Sequence, residues 1–424
     1  MTPTFRRLLI VLLAGFTAHQ MLVPLVAPLA RALVLTETQM GLVVSVSALS
    51  LAASSPLWGR ALDASGPTAV LVSGLSCATI GLAGFAAAVY AGLHQGLEPT
   101  MVLTIMLVTR SVLFGAGIAA LPVVAIAAAT ASARDQVQRT KSIGYVGAAQ
   151  GLSLVLGPAA GGALAVATLM APLIVSPIVL ALLGVWVAGR VRPDVRAGQA
   201  DTVPRERLRP WDTRVSAALS IAFLLYLSLA LIQVVIGFLI ADRLQLGPEQ
   251  TAGAVGIALF LTGVVLVATQ GALVPRLSWP ALRLVHVGTP IVVASFMLLL
   301  AAGQLWSITA AFMFLALGLG LAIPGFTVLP TLAVGERQAG AVAGLITATT
   351  GLTFVIGPVA GTALYEVSEY APIAASVGAA TAAGIIAFSS PALREAKGSN
   401  GGESPAPREA SMRQNGKGTR FEQD

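Results

Sequence analysis

The sequence predicts an all-α membrane protein with twelve transmembrane helices arranged as two pseudo-symmetric six-helix bundles. Three observations support this fold class: the composition, the number of long apolar stretches, and an internal repeat. Of the 424 residues, 56% are apolar and 10% are charged, whereas soluble domains carry about 25% charged residues. A chain with this composition belongs in a lipid bilayer.

Twelve stretches are long and apolar enough to cross a bilayer, which takes about 20 residues of helix. A helix bonds its own backbone polar groups in lipid, and the alternating pattern of a membrane β-barrel is absent from the sequence. We number the stretches 1 to 12; they lie near residues 8–30, 40–59, 68–92, 100–127, 142–165, 171–189, 215–240, 250–272, 283–302, 307–330, 340–364 and 371–390.

The internal repeat joins stretches 5 and 11. Gly151–Leu164 reads GLSLVLGPAAGGAL and Gly351–Leu364 reads GLTFVIGPVAGTAL, a gap-free match with 9 of 14 positions identical. Proline removes a helix hydrogen bond and glycine lets another backbone come close. Since this predicted bend recurs in both halves, we expect a duplicated bundle that moves, an arrangement typical of secondary transporters.

The repeat and the polar segments divide the chain into four parts. We expect an N-terminal bundle at 1–189, a cytoplasmic linker at 190–214, a C-terminal bundle at 215–393 and a disordered tail at 394–424. The tail is rich in Gly, Ser and charge, so it has too little apolar surface to fold.

The net charge of +7 follows from how the cations are distributed. With both termini in the cytoplasm, 22 of the 25 Lys and Arg fall on cytoplasmic segments, Arg31 and Arg243 fall outside, and Arg110 lies within stretch 4. This is the positive-inside pattern. It predicts an integral protein of the plasma (inner) membrane that contacts anionic lipid, and it argues against nucleic acid as a partner.

Several kinds of chemistry find no support in the sequence. Cys77 is the single cysteine, so there is no internal disulfide, and the three His are far apart, so no metal site is evident. There is no phosphate-binding P-loop for ATP, and no clustered catalytic constellation. We expect no cofactor, no metal and no enzymatic activity.

Two segments and the repeat resemble the major facilitator superfamily. Residues 59–66, GRALDASG, resemble the family's loop between helices 2 and 3, although basic residues usual there are absent. Arg110 with Gly115 and Gly117 is similar to its R-x-x-x-G-x-G segment, with the glycines one residue late. Residues 157–162, GPAAGG, match the motif commonest in the drug:proton antiporter branch.

The resemblance implies roles for two groups of residues. Gly59, Asp63 and Gly66 would form a cytoplasmic gate, with Asp63 at the N-terminus of helix 11 near residues 339–343, where the helix dipole favours a carboxylate. The alternative is a solvated turn. The second group would form an external hinge and seal, with plain tight packing as the alternative. It comprises Gly157, Pro158, Gly161, Gly162, Gly357, Pro358 and Gly361.

Arg110 lies about ten residues into stretch 4, where an arginine costs at least roughly 2.5–3.5 kcal/mol. No Asp or Glu has an obvious mid-membrane position. Either backbone carbonyls and amides such as Gln20 or Gln150 satisfy the guanidinium, or an anionic substrate does. Arg110 is therefore a candidate for substrate binding, for coupling, or for a structural hydrogen-bond hub.

The remaining candidates concern the proton and the cavity. His19 has the side-chain type whose intrinsic pKa suits proton transfer, although a His bonded to a backbone carbonyl is an equal alternative. Polar or aromatic residues that could line a cavity for an amphipathic molecule are Phe16, His19, Gln20, Gln150, Tyr226, Gln233 and Phe326.

The sequence thus predicts a monomeric secondary transporter that works by alternating access, with proton-linked efflux of a small drug-like or metabolic compound as the leading function. One alternative is an importer or exchanger of an organic anion held by Arg110. Another is a non-transporting receptor or scaffold that keeps the fold.

Overall fold

The computed structural model describes residues 3–131, 136–190, 212–332, 334 and 338–390. Within these ranges the chain is helical and contains no strand. The predicted linker, apart from residues 190 and 212–214, and the predicted tail lie outside the described residues, as do Glu336 and Arg337.

The first half contains six helices. Helix α1 has three parts: Pro3–Gln20, a 3-10 turn at Val23–Leu25, and a final segment at Val26–Ala32. Helices α2 and α3 share the continuous run Glu37–His94. Helix α4 spans Pro99–Ala131, α5 spans Gln136–Ala165 and α6 spans Met170–Arg190.

The second half repeats this order. Helix α7 consists of Thr213–Gln233 and Val235–Leu244; α8 spans Pro248–Leu277, α9 Ala281–Ala301, α10 Leu305–Leu332, α11 Ala339–Val367 and α12 Ala371–Ser389. These bounds agree with the predicted stretches to within several residues, and the largest differences are at the end of α2, which extends to residue 65, and at the start of α5, which begins at Gln136.

Gly66 divides the 58-residue run Glu37–His94 into two membrane-spanning helices, α2 (37–65) and α3 (67–94). A straight helix of that length would measure about 87 Å, nearly three times the hydrocarbon thickness. The backbone at Gly66 has φ 79° and ψ 166°, a conformation open to glycine but not to residues with a Cβ. The expected turn is therefore confined to Gly66, and Asp63 remains helical.

Helices α1 and α7 are both interrupted at corresponding places. The regular helix of α1 ends at Gln20 and that of α7 ends at Gln233, and each resumes after a short irregular step. Helices α4 and α8 instead contain π-helical turns, at Leu107–Leu113 and Thr269–Leu273. Such turns cost regular hydrogen bonding and are frequent at functional sites.

The two ends of the bundle differ. We call the end where α6 finishes and α7 begins the linker end; there the Arg7 Nη1 group donates to the Arg190 carbonyl at 2.9 Å, which holds the start of α1 beside the end of α6. We call the opposite end, where α1 finishes at Ala32 and α11 finishes at Val367, the far end.

Candidate functional site

Arg110 occupies the π-helical turn of α4 and is 7% exposed. Its Nη1 group donates a hydrogen bond to Ser47 Oγ on α2 at 3.0 Å. Its guanidinium carbon lies 4.7 Å from the centroid of the Phe114 ring, which places the cation over an aromatic face. The π-helical turn thus presents a buried charge to a polar and an aromatic neighbour.

Most of the hydrogen-bonding capacity of Arg110 is unused. A guanidinium carries five N–H donors, and the bond to Ser47 is the one that Arg110 makes among the described residues. The predicted partners Gln20 and Gln150 do not bond to it, and in the described part of the chain no carboxylate pairs with it. A buried guanidinium with free donors suits an anionic or strongly accepting ligand.

His19 packs against the same ring as Arg110. Its imidazole centroid lies 5.2 Å from that of Phe114 in an edge-to-face arrangement, and 6.1 Å from that of Phe16. His19 Nδ1 is buried without a hydrogen-bond partner among the described residues, and a buried polar atom without a partner is uncommon. We call His19, Ser47, Arg110 and Phe114 the Arg110 cluster.

The second half contributes an aromatic patch instead of a charge. The Tyr226 ring of α7 lies 5.8 Å from Phe326 on α10 and 6.0 Å from Phe354 on α11, both edge to face. Phe354 was not singled out from the sequence, because it reads as one more apolar residue of the repeat. Gln20 is largely buried, whereas Gln150, Tyr226 and Gln233 keep part of their surface exposed.

Four glycines of the repeat pack within their own half. A Cβ on Gly157 would overlap Gln20, and one on Gly161 would overlap the Met21 carbonyl. In the second half Gly357 meets Ala230 and Gly361 meets the Leu231 carbonyl in the same way. Helices α5 and α11 run unbroken through Pro158 and Pro358. These glycines therefore fit α5 against α1, and α11 against α7, at the points where α1 and α7 approach their interruptions.

The following position of the repeat faces the opposite half. A Cβ on Gly162 would lie 2.7 Å from the Gly256 Cα of α8, and one on Gly256 would lie 2.9 Å from the Pro158 carbonyl. The pseudo-symmetric contact joins α11 to α2: a Cβ on Gly41 would lie 2.7 Å from the Pro358 carbonyl and would overlap Thr362. The two halves thus touch backbone to backbone at two equivalent crossings.

Two hydrogen-bonded links add to these crossings at the far end. Asp242 of α7 accepts hydrogen bonds from Arg31 of α1 at 3.0 Å and from the Tyr365 hydroxyl at 2.8 Å. The backbone N–H of Thr38 donates to Glu366 at 2.9 Å. We call Arg31, Asp242, Tyr365, Glu366 and Thr38 the far-end seal. One member of this seal was visible in the sequence, because Arg31 is one of the two cations that fall outside the positive-inside pattern.

At the linker end the repeat helices face open space. A Cβ at Gly144, Gly147 or Gly151 of α5, or at Gly344 or Gly351 of α11, would have no neighbouring atom within 4 Å. Asp63 is exposed and makes no hydrogen bond or ion pair with any residue that the structure describes, so it does not reach the start of α11. Gly59 likewise has no neighbour within 4 Å. Among the described residues, the hydrogen bonds and glycine contacts that join the two halves lie toward the far end, and none of them lies at the linker end.

The gate prediction for Asp63 has a clear test in this geometry. Because Asp63 is solvated here, Asp63→Asn should leave thermal stability unchanged while increasing cysteine labelling at the linker end, since a gate contact would form only in the other conformation. Labelling by a cysteine introduced at Gly344 reports on this end. Equal labelling of the variant and the parent would leave Asp63 as a solvated residue at the end of α2 with no gate role.

Comparisons with known proteins agree with this architecture. Residues 8–358 match the Major Facilitator Superfamily, so the chain belongs to that family, whose members are generally not enzymes. No curated protein matches the sequence.

Solved transporters share the fold at low sequence identity. The human organic anion transporter MFSD10 is 18% identical, with a TM-score of 0.61, over 91% of this chain and 100% of that one. A bacterial homologue of the iron transporter ferroportin, in an inward-facing state, is 16% identical, with a TM-score of 0.67, over 92% and 99%. A bacterial homologue of the human lysosomal transporter Spinster, inward-facing and occupied, is 14% identical, with a TM-score of 0.66, over 96% and 100%.

Proposed function

We propose that this protein exports a small organic compound across the membrane by alternating access, coupled to proton entry. One observation carries the proposal: among the described residues, the two halves contact each other toward the far end and not at the linker end. A bundle with its contacts at one end only is one of the two states that a rocking transporter must adopt. With the cation-rich linker end in the cytoplasm, this state is inward-facing.

The Arg110 cluster and the Tyr226 patch form the substrate site in this proposal. They lie on opposite halves, between the seal and the open end. Aromatic faces suit the apolar part of a ligand, while Arg110 and the orphaned His19 Nδ1 atom suit its polar part. His19 is also the proton carrier in this proposal, because its imidazole belongs to the Arg110 cluster and its Nδ1 atom is buried without a hydrogen-bond partner among the described residues.

A second candidate function is import or exchange of an organic anion. It is favoured by Arg110, whose guanidinium has free donors and no carboxylate partner among the described residues. In this alternative the substrate carboxylate takes the place of the missing partner, and no proton site is needed.

Reconstituted vesicles distinguish the two functions. A thermal-shift screen of cationic drugs and organic acids against the purified protein first supplies a probe compound. Proton-linked export predicts that a pH gradient drives the probe uphill, and that His19→Gln abolishes this drive while leaving probe exchange at equal pH intact. A probe that is an organic acid and moves independently of the pH gradient would instead establish the second candidate.

A further inference from the structure

An apolar groove of about 670 Å³ lies between α9 and α12, away from the Arg110 cluster. Its lining includes Pro290 and Ala294 of α9 and Gly384, Ile385 and Phe388 of α12. These two helices pack on each other, and in addition α12 packs on α7 and α9 packs on α10. Ile385 and Phe388 are 63% and 47% exposed within a membrane-spanning helix, so the groove opens toward lipid.

A small residue of α9 creates the groove, and the first half carries a larger residue at the equivalent position. Gly74 of α3 and Gly288 of α9 are equivalent, because a Cβ on either would approach the carbonyl of a glycine on the next helix, Gly117 or Gly318. Counting six residues on from each glycine aligns Ile80 with Ala294.

The difference between Ile80 and Ala294 accounts for the depth of the groove. Ile80 is 62% exposed and covers its face of the first half, whereas Ala294 leaves the corresponding space empty. The polar Thr289 hydroxyl in the groove wall already bonds the Val285 carbonyl of its own helix at 2.9 Å. The groove therefore offers an apolar surface with little unmet hydrogen bonding.

A cationic and aromatic cluster stands at the linker end of this groove. Arg283 is exposed and lies seven residues before Pro290 on α9, about 10 Å along the helix and on the same face. Its guanidinium carbon lies 4.5 Å from the Trp279 ring centroid. His286, one turn on, bonds the Ala387 carbonyl at 2.9 Å and stacks on Phe388 at 4.4 Å. Helices α9 and α12 contain no Asp or Glu.

We propose that the groove binds one anionic phospholipid of the leaflet at the linker end, with an acyl chain against Ala294 and Gly384 and the phosphate on Arg283. The arrangement matches such a lipid in order and in charge. Trp279 and Arg283 lie at the depth of the lipid headgroups, where such residues are common in membrane proteins. The His286 and Phe388 rings come next along the lipid, and the apolar groove lies deeper in the membrane. Because anionic lipid is attracted by about 1 kcal/mol per cation near the surface, headgroup selectivity should be about fivefold.

Native mass spectrometry of the purified full chain tests this site with phosphatidylglycerol and phosphatidylcholine as probes. The parent protein should retain one phosphatidylglycerol about fivefold more often than phosphatidylcholine. Ala294→Trp should abolish retention of this lipid by filling the groove. Thr381 of α12 also lines the groove, and Thr381→Leu should reduce retention by adding bulk there. Arg283→Gln should keep a lipid but lose the preference for phosphatidylglycerol.

The chain supplies matched controls. Ile80→Trp places the same bulky residue at the equivalent position of the first half, and Arg276→Gln removes a neighbouring cation of the same end; both should retain lipid as the parent does. Melting temperatures confirm that each variant is folded. Equal retention of the two lipids by the parent, unchanged retention in folded Ala294→Trp and Thr381→Leu, or an equal loss of preference in Arg276→Gln would each overturn the proposal.

Discussion

Replacing Arg110 should strongly reduce transport. In the proposed site this guanidinium donates charge-assisted hydrogen bonds to the substrate, each worth about 1.5–3 kcal/mol. Arg110→Gln should therefore reduce transport by about 100-fold, and Arg110→Lys, which keeps the charge but loses the planar fork, by about 10-fold. Initial rates in vesicles with the probe from the thermal-shift screen measure both.

The control for this prediction is the residue that Arg110 contacts. Ser47 accepts the one hydrogen bond that Arg110 makes in the described part of the chain. If Arg110 only tied α4 to α2, Ser47→Ala would reproduce the loss seen in Arg110→Gln. We expect Ser47→Ala to retain most of the transport, because the donors used for substrate are the remaining ones. Full transport by Arg110→Lys would argue against a shaped role for the guanidinium.

Enlarging Gly162 should hold the far end open. Its missing Cβ is what allows the α5 backbone to meet Gly256 of the opposite half. In Gly162→Leu the side chain would meet the α8 backbone, which has no flexible atom to move aside, and overpacking of this kind costs about 1–3 kcal/mol. Since that cost applies to the state with the far end closed, the population should shift toward the opposite state by about 5-fold to 160-fold, and transport should stop.

Cysteine labelling measures this shift. In a Cys77→Ser background, a cysteine at Ser45, which here accepts a hydrogen bond from the Val359 N–H at 3.1 Å, should become accessible from the far end in Gly162→Leu. Gly151→Leu makes the same change on the same helix at a position with open space, and it should leave this labelling unchanged. Unaltered labelling in Gly162→Leu would mean that the crossing does not control closure.

The sequence predicted the fold because hydropathy and helix length are local properties. The twelve predicted stretches correspond to twelve membrane-spanning helices among the described residues, and the recurrence of one fourteen-residue pattern predicted the two halves. The division at Gly66 was expected as a loop, but the chain stays helical on both sides of a single glycine. The residue at which one helix ends and the next begins depends on tertiary packing, and the local hydropathy pattern carries no information about that packing.

The contacts of the candidate site were less predictable, because they join residues far apart in the chain. Arg110 was recognised as a buried charge, yet nothing in the sequence distinguishes Ser47 from the other serines of α2 as its partner. The glycines of the repeat predicted close packing. The sequence did not indicate that Gly161 faces its own half while Gly162 faces the other half. Asp242 and Glu366 looked like ordinary surface acids, and only the three-dimensional structure pairs them with Arg31 and Thr38.

Distances between spin labels on the two halves test the central claim, rocking of one half against the other, most directly. One pair at Val34 and Val367, each 81% exposed, reports on the far end; a second pair at Ala64 and Gly344 reports on the linker end. Adding the probe compound should lengthen the first distance while shortening the second. Distances that stay fixed, or that change in the same direction at both ends, would contradict alternating access and favour a static receptor or scaffold.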